Sequence, residues 1–470
     1  MRQLHIYTRI EKPHFIIKIL LGIYSIFLLS SCESFLKVDP PQSQIVGEYV
    51  FQEKNLANAA LADIYFDLLD RIMSANYFTT YIGLYTDELY YARTSQYSYY
   101  EDFINCNVLP TNSTSKEFWS KDYTAIYKAN AIIEGMDNST TIGVSDRNRI
   151  KGEALFFRAY LHFYLVNLFG DIPYISTTDY TENRKISRMP VQEVYKNLVA
   201  DLIAAKELLP ENYSTVERVH VNKWVASALL SRVYLYSGQW EKAESESTSL
   251  ITNSLFTMET SLSKVFLKES KSIIFCLKSQ SSMNASDGTF YIDTPSNISS
   301  HAFFLTENVT GAFEPNDQRR SLWVGSLTDT EGETIYFSSK YKEIPNSTPS
   351  KEFSVLLRIE EQYLIRAEAR AHLEDIFGAQ QDLNVIRNRA GLGNTNAATV
   401  NNLLAAILHE RQVEFFLELG HRFFDLKRMG FADAVLGSIK SGWDPTDVLL
   451  PIPESEILLN SNLLPQNPGY

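Results

Sequence analysis

Five tyrosines crowd into eleven residues at Tyr90, Tyr91, Tyr97, Tyr99 and Tyr100, with Asp87, Glu88 and Arg93 set among them. A tyrosine ring offers a flat apolar face with a hydroxyl at its rim. It can cover the C–H side of a pyranose while neighbouring acids and an arginine take the sugar hydroxyls. Tyrosine also gives contact area at little conformational cost, which favours a preformed platform. The plainer alternative is that several of these rings pack on the helices beneath them. Hydrolysis of a sugar chain would need two carboxyl groups roughly 5–9.5 Å apart across the glycosidic bond. Asp87 and Glu88 are sequence neighbours, so their side chains diverge in a strand or stand about 100° apart around a helix. No other acid pair stands out, and the pattern reads as a binder.

Other chemistries find little support. The histidines beyond the N-terminal segment (His162, His220, His301, His372, His409, His421) show no i, i+4 pair, and neither CxxC nor HExxH occurs, so no metal is expected. There is no GxSxG elbow or phosphate loop, and Gly391-Leu392-Gly393 reads as a helix stop, so no cofactor is expected either. Cys106 and Cys276 could form one disulfide in an oxidising compartment. Cys276 sits in the apolar run Ile273–Leu277, where a buried free thiol is the better reading.

Cys32 has a different role. Arg2, Arg9, Lys12 and Lys18 precede an eleven-residue apolar run, Ile19–Leu29, that leads into Leu29-Ser30-Ser31-Cys32. Such a run makes a helix of about 16 Å, short of the ~30 Å hydrocarbon core, so it reads as an export signal. Its end resembles a bacterial lipobox, in which the cysteine is acylated and becomes the new N-terminus. Residues 1–31 are then the signal peptide and 32–45 a lipidated tether, in which Pro40-Pro41 stops any helix. Loss of residues 1–31 moves the net charge from −13 to −16. That acidity disfavours nucleic acid and anionic lipid, and leaves the acyl chain as the only membrane contact.

The elements that must hold the tyrosines are mostly helical. Pro190–Leu209 carries apolar residues at gaps of three and four, opened by one proline and closed by Pro210. Helices are also predicted over Asn55–Met73, Trp119–Met136, Arg149–Phe169, Lys223–Ser237, Glu241–Thr252, Ser354–Leu373 and Val400–Leu419. Trp119, Trp224 and Trp240 fall on these patterns and read as core. Arg232–Ala243 aligns with Glu368–Ala379 as a repeated helix-turn-helix, similar to tetratricopeptide pairs, with Glu374 in the second copy where the first has Gly238. Ser279–Pro349 is rich in Ser, Thr, Asn and Asp and reads as long loops with short strands, while Ser272–Ser279 is the best strand.

The run Gly152–Pro173 (GEALFFRAYLHFYLVNLFGDIP) resembles the N-terminal signature of the SusD/RagB family. Tyr363–Ala369, Asp382–Leu392, His409–Glu414, Gly420–Arg428, Leu450–Glu456 and Gln466–Tyr470 resemble its C-terminal half in order and position. The resemblance implies a mainly α fold of tetratricopeptide-like helix pairs with long irregular loops and a few short strands. Its N-terminal helical region would span residues 46–255 and its C-terminal region 256–470, including the loop-rich segment 279–349. It also implies a non-catalytic outer-membrane lipoprotein facing the cell exterior. Such a protein binds a nutrient, usually a glycan, and acts as the lid of a SusC-like TonB-dependent transporter. Peptide cargo is the alternative within the family, and an α-helical glycoside hydrolase the distant one outside it. Family ligand contacts fall in the loop after the first helical hairpin, here residues 86–100, and in the irregular middle insertion. The insertion adds Phe290, Tyr291 and Trp323 as candidates. Arg158, Arg422, Asp425, Glu410, Arg411, Asp317, Arg319 and Arg320 are charged members of the signatures, read as buried ion pairs or caps.

Overall fold

The computed structural model describes residues 47–69, 75–92, 100–279, 283–292, 303–328, 332–344 and 348–470. Cys32 and its tether, and Arg93, Tyr97 and Tyr99, lie outside the described residues. The chain divides into two units, Met1–Val50 and Phe51–Tyr470. In the first, the described part is the short helix Gly47–Val50. The second carries the architecture.

Its centre is a helix with no polar side. Every residue from Gly152 to Phe169 in α4 (Val144–Phe169) is buried, so the helix has neighbours all around instead of one apolar stripe. The preceding elements in chain order are α1 (Lys54–Asp67), α2 (Thr80–Tyr85) and α3 (Ser113–Asn138). α3 packs on one side of α4, and α5 (Val191–Leu208) packs on it too. A histidine this deep must be neutral. His162 Nδ1 meets the Arg158 carbonyl at 2.8 Å, Nε2 accepts the Ile175 N–H at 3.1 Å, and burial pushes its pKa down to about 3. Pro190 caps α5 and the helix ends two residues before Pro210, as its sequence predicts.

The two repeat copies fold as helix pairs, α6 (Lys223–Tyr236) with α7 (Trp240–Ile251), and later α10 (Ile359–His372) with α11 (Ile376–Arg389). Their turns are the same. The Gly238 N–H donates to the Leu235 carbonyl and that of Gln239 to Tyr234, while the Glu374 N–H donates to Ala371 and that of Asp375 to Arg370. Both turns put a residue in the left-handed region, Gly238 at φ 69° and Glu374 at φ 63°. A side chain there costs about 1–2 kcal/mol. A Cβ on Gly238 would meet only the Trp240 ring, at 3.7 Å, so space is not the constraint. Gly238→Glu should therefore lose roughly 1–2 kcal/mol in urea denaturation, and Glu374→Gly should gain up to about 1 kcal/mol. Equal stability of all three proteins would show that the backbone angle is not what matters.

Strand β1 (Leu89–Tyr91) precedes both pairs, and between them lie β2 (Ile273–Leu277), α8 (Ser286–Tyr291), β3 (Phe303–Leu305), α9 (Gln318–Trp323), β4 (Val324–Thr328), β5 (Thr334–Ser338) and β6 (Ser354–Arg358). They form three antiparallel two-stranded ribbons, β1–β3, β2–β6 and β4–β5. The helix predicted over Ser354–Leu373 is in part a strand, a correction with a clear cause. The Ile273–Leu277 backbone needs a partner, and Ser354–Arg358 supplies it before the helix α10 (Ile359–His372) begins. α11 (Ile376–Arg389), α12 (Val400–Phe415) and α13 (His421–Arg428) follow. α12 stops short of the predicted Leu419. Lys340 Nζ donates to the Glu414 and Phe416 carbonyls at 2.8 Å each and Arg358 to Glu414 at 3.0 Å, satisfying orphan groups at the helix end. Leu417 and Leu419 beyond it adopt positive φ.

The charged signature residues are interior ties, except Arg320, which is half-buried with its guanidinium 4.7 Å over the Tyr336 ring. Arg158 grips Asp201 at 2.5 and 2.7 Å, and Arg411 holds Asp425 at 2.7 Å. Arg319, fully buried, contacts Asp317 at 2.8 Å, Glu410 at 2.7 Å and Glu414 at 2.9 Å. Cys106 and Cys276 are both buried free thiols whose pKa burial pushes up to about 12. No helix among the described residues is long and apolar enough to cross a membrane.

Candidate functional site

The two segments singled out by sequence meet in one ribbon. Thr86 caps the end of α2, its hydroxyl on the Gly83 carbonyl at 3.2 Å, and the chain then enters β1 through Asp87 and Glu88. Both acids turn inward. Arg422 holds Asp87 with Nε at 2.9 Å and a terminal nitrogen at 2.7 Å, a bidentate pair with both side chains almost fully buried. Glu88 accepts the Leu417 N–H at 3.0 Å. Burial pushes its carboxyl up to about 7 against the pull of that hydrogen bond, and the Asp87 charge adds to the rise. The Glu88 carbonyl in turn accepts the Thr306 N–H at 3.1 Å. These acids position the strand and are spoken for by the protein interior.

Alternation along β1 sends Leu89 and Tyr91 inward and Tyr90 outward, 39% exposed. β3 pairs antiparallel to it, with Leu89 opposite Leu305, Tyr90 opposite Phe304 and Tyr91 opposite Phe303. On one face Tyr90 lies 5.6 Å from Phe304. The other face gathers a larger set of rings. Phe303 stands 5.0 Å from Tyr91, 5.0 Å edge-on from Tyr100, and stacks on Phe290 at 5.2 Å and 24°. Tyr100 continues the chain of rings to Tyr81 at 5.2 Å. Tyr100, Phe290 and Phe303 are each partly exposed, while Tyr91 and Tyr81 form the floor.

α8 brings Phe290 and Tyr291 to this place. Gly288 lets the helix touch the chain behind it, because a Cβ there would fall 2.2 Å from the Glu343 carbonyl oxygen. Tyr291 is buried, its hydroxyl 2.9 Å from the Thr80 hydroxyl, and it props the helix. Arg93, Tyr97 and Tyr99 lie outside the described residues, while Tyr91 and Tyr100 are ring neighbours at 5.1 Å. Trp323 is not brought in. It is fully buried, its indole N–H on the Leu262 carbonyl at 2.9 Å and its ring beside Phe266 and Lys340. Phe303 and Phe304 were not singled out from sequence. The only signal for them is a three-residue apolar run, Phe303-Phe304-Leu305, in polar surroundings. Among the described residues no group of three His, Cys, Asp or Glu side chains is arranged to hold a metal.

Residues 34–235 match the family model described as starch-binding, associating with outer membrane, and residues 328–470 match that of the SusD family. The chain belongs to the SusD/RagB family. SusD-like protein P2 of Formosa agariphila is 28% identical over 424 residues, covering 76% of this chain and 81% of its own. Two solved structures share the fold. A SusD superfamily protein from Bacteroides vulgatus has a TM-score of 0.78 at 20% identity, with 89% of this chain and 99% of that one covered. Surface glycan-binding protein A from Bacteroides thetaiotaomicron, in complex with laminarihexaose, has a TM-score of 0.73 at 19% identity, with 88% and 99% covered. In this chain the mainly helical SusD fold carries the β1–β3 ribbon and its rings.

Proposed function

We propose that this SusD/RagB protein is a surface lipoprotein that binds an oligosaccharide without cleaving it and hands it to a SusC-like TonB-dependent transporter, for which it is the lid. The observation that carries the reading is the run of partly exposed rings Tyr100, Phe303 and Phe290 on one face of the β1–β3 ribbon. Flat apolar faces with hydroxyl rims suit pyranose rings. The two acids that a hydrolase would need here are tied to Arg422 and to a backbone N–H, which favours binding over cleavage. The bound laminarihexaose of the glycan-binding relative supports a glycan as cargo. Acylation at Cys32 would hold the protein at the outer membrane, facing the cell exterior.

Purification of the tagged protein from its native membrane in mild detergent tests the lid role and the anchor together. A large TonB-dependent barrel should co-purify, and Cys32→Ala should move the folded protein from the membrane pellet to the soluble fraction. A lone species on the column contradicts the lid role, and a variant that still pellets contradicts the anchor.

A further inference from the structure

A second preformed cleft lies along α3 and shares no lining residue with the β1–β3 ribbon. Its volume is about 370 Å³, in the range of small-ligand sites. Tyr123 and Tyr127 stand one turn apart on α3, about 6 Å along the helix, a spacing comparable to one pyranose ring. Tyr123 is fixed by its hydroxyl on the Pro173 carbonyl at 2.7 Å and by the buried Trp119 ring at 4.9 Å. Tyr127 is 53% exposed, and Tyr180 across the cleft is 72% exposed. Ile175, Ile186, Leu459 and Leu463 add apolar wall, and Asn183, Arg184 and Glu456 bring polar groups to it. Among the described residues neither Arg184 nor Glu456 has an ion-pair partner.

The walls are stapled in place. Glu134 of α3 accepts the Thr178 N–H at 2.8 Å and its hydroxyl at 2.5 Å. Asn130 donates to the Ile175 carbonyl at 3.0 Å, and Asn460 donates to Ile186 at 2.8 Å. A ligand entering here meets a surface already ordered.

We infer that this cleft is a second oligosaccharide-binding site, taking one or two neutral sugar rings on Tyr127 and Tyr180, with Arg184 and Glu456 on their hydroxyls. The competing occupant is a protein partner, since the lining residue Leu459 and its chain neighbours Leu458 and Leu464 are exposed. An apolar protein face would strip water from Arg184 and Glu456 without replacing their hydrogen bonds, whereas sugar hydroxyls both donate and accept. The inference shares the glycan reading proposed above but not its residues, so the two sites can fail separately.

Calorimetric titration with laminarihexaose, maltohexaose, cellohexaose and mannohexaose tests it. In a Tyr100→Ala, Phe303→Ala background, which disables the ribbon, at least one of the four should still bind. Adding Tyr127→Ala with Tyr180→Ala should weaken that remaining binding roughly 10- to 100-fold. Both tyrosines are more than half exposed, so an unchanged melting temperature is expected and confirms that the fold is intact. Failure of all four sugars to bind the ribbon-disabled protein at millimolar concentration overturns the cleft, as does affinity indifferent to the added pair. If the Tyr127, Tyr180 pair alone abolishes wild-type binding, the cleft stands and the ribbon reading falls.

Discussion

Asp87→Ala is expected to destabilise the protein by about 3–5 kcal/mol, because it leaves Arg422 charged in the interior with its bidentate partner gone. The lower end is expected, since the neighbouring Glu88 carboxyl, held up to about 7 by burial and in part by the Asp87 charge, ionises more readily once that charge is removed. A second substitution, Arg422→Met, should recover most of the loss, as an apolar side chain needs no partner. Urea denaturation of the two single variants and the double variant measures the coupling directly. A cost below about 1 kcal/mol for Asp87→Ala would mean that the pair does not fix the ribbon. Asp87 would then be available again as a ligand contact.

Removing two rings from the other end of the ribbon should act on binding. Each ring stacked on a sugar contributes on the order of 1–2 kcal/mol. Tyr100→Ala with Phe303→Ala should therefore weaken oligosaccharide binding roughly 30- to 1,000-fold. Both rings are partly exposed, so the fold should survive with a modest loss of stability. Tyr100→Phe is the control, because it keeps the ring and loses only the hydroxyl, and it should hold affinity to within roughly tenfold. Tyr90 lies against Phe304 on the opposite face of the ribbon, and Tyr90→Ala should leave binding nearly unchanged. Titration of the four proteins with the same sugar separates these outcomes. Loss on Tyr90→Ala, with the double variant unaffected, would move the site to the other face.

The long helices were legible because their periodicity is local. Pro190–Pro210 writes its apolar stripe and its proline boundaries into twenty-one consecutive residues. The ribbon was not legible, because three-residue strands carry too little alternation to show a partner, and Tyr91 meets Phe303 only through the whole intervening fold. The same distance explains the acids. Asp87 and Glu88 have the residue types of sugar contacts, but the guanidinium that takes Asp87 is 335 positions away and the N–H that takes Glu88 is 329 away. Trp323 reads as an aromatic in a polar loop, yet it closes a short helix whose end is packed against Phe266. Tyr90, Tyr100 and Phe290 were visible as residue types. What sequence could not supply was which faces they share.

The most direct measurement is a co-crystal structure of the mature protein with the tightest-binding oligosaccharide of the panel, combined with analysis of the sugar recovered from the crystals. Expected are an intact chain and pyranose carbons within about 4 Å of the Phe303 and Tyr100 rings. Sugar density found only away from the ribbon, or recovery of shortened chains, would contradict a non-catalytic binding platform at this place.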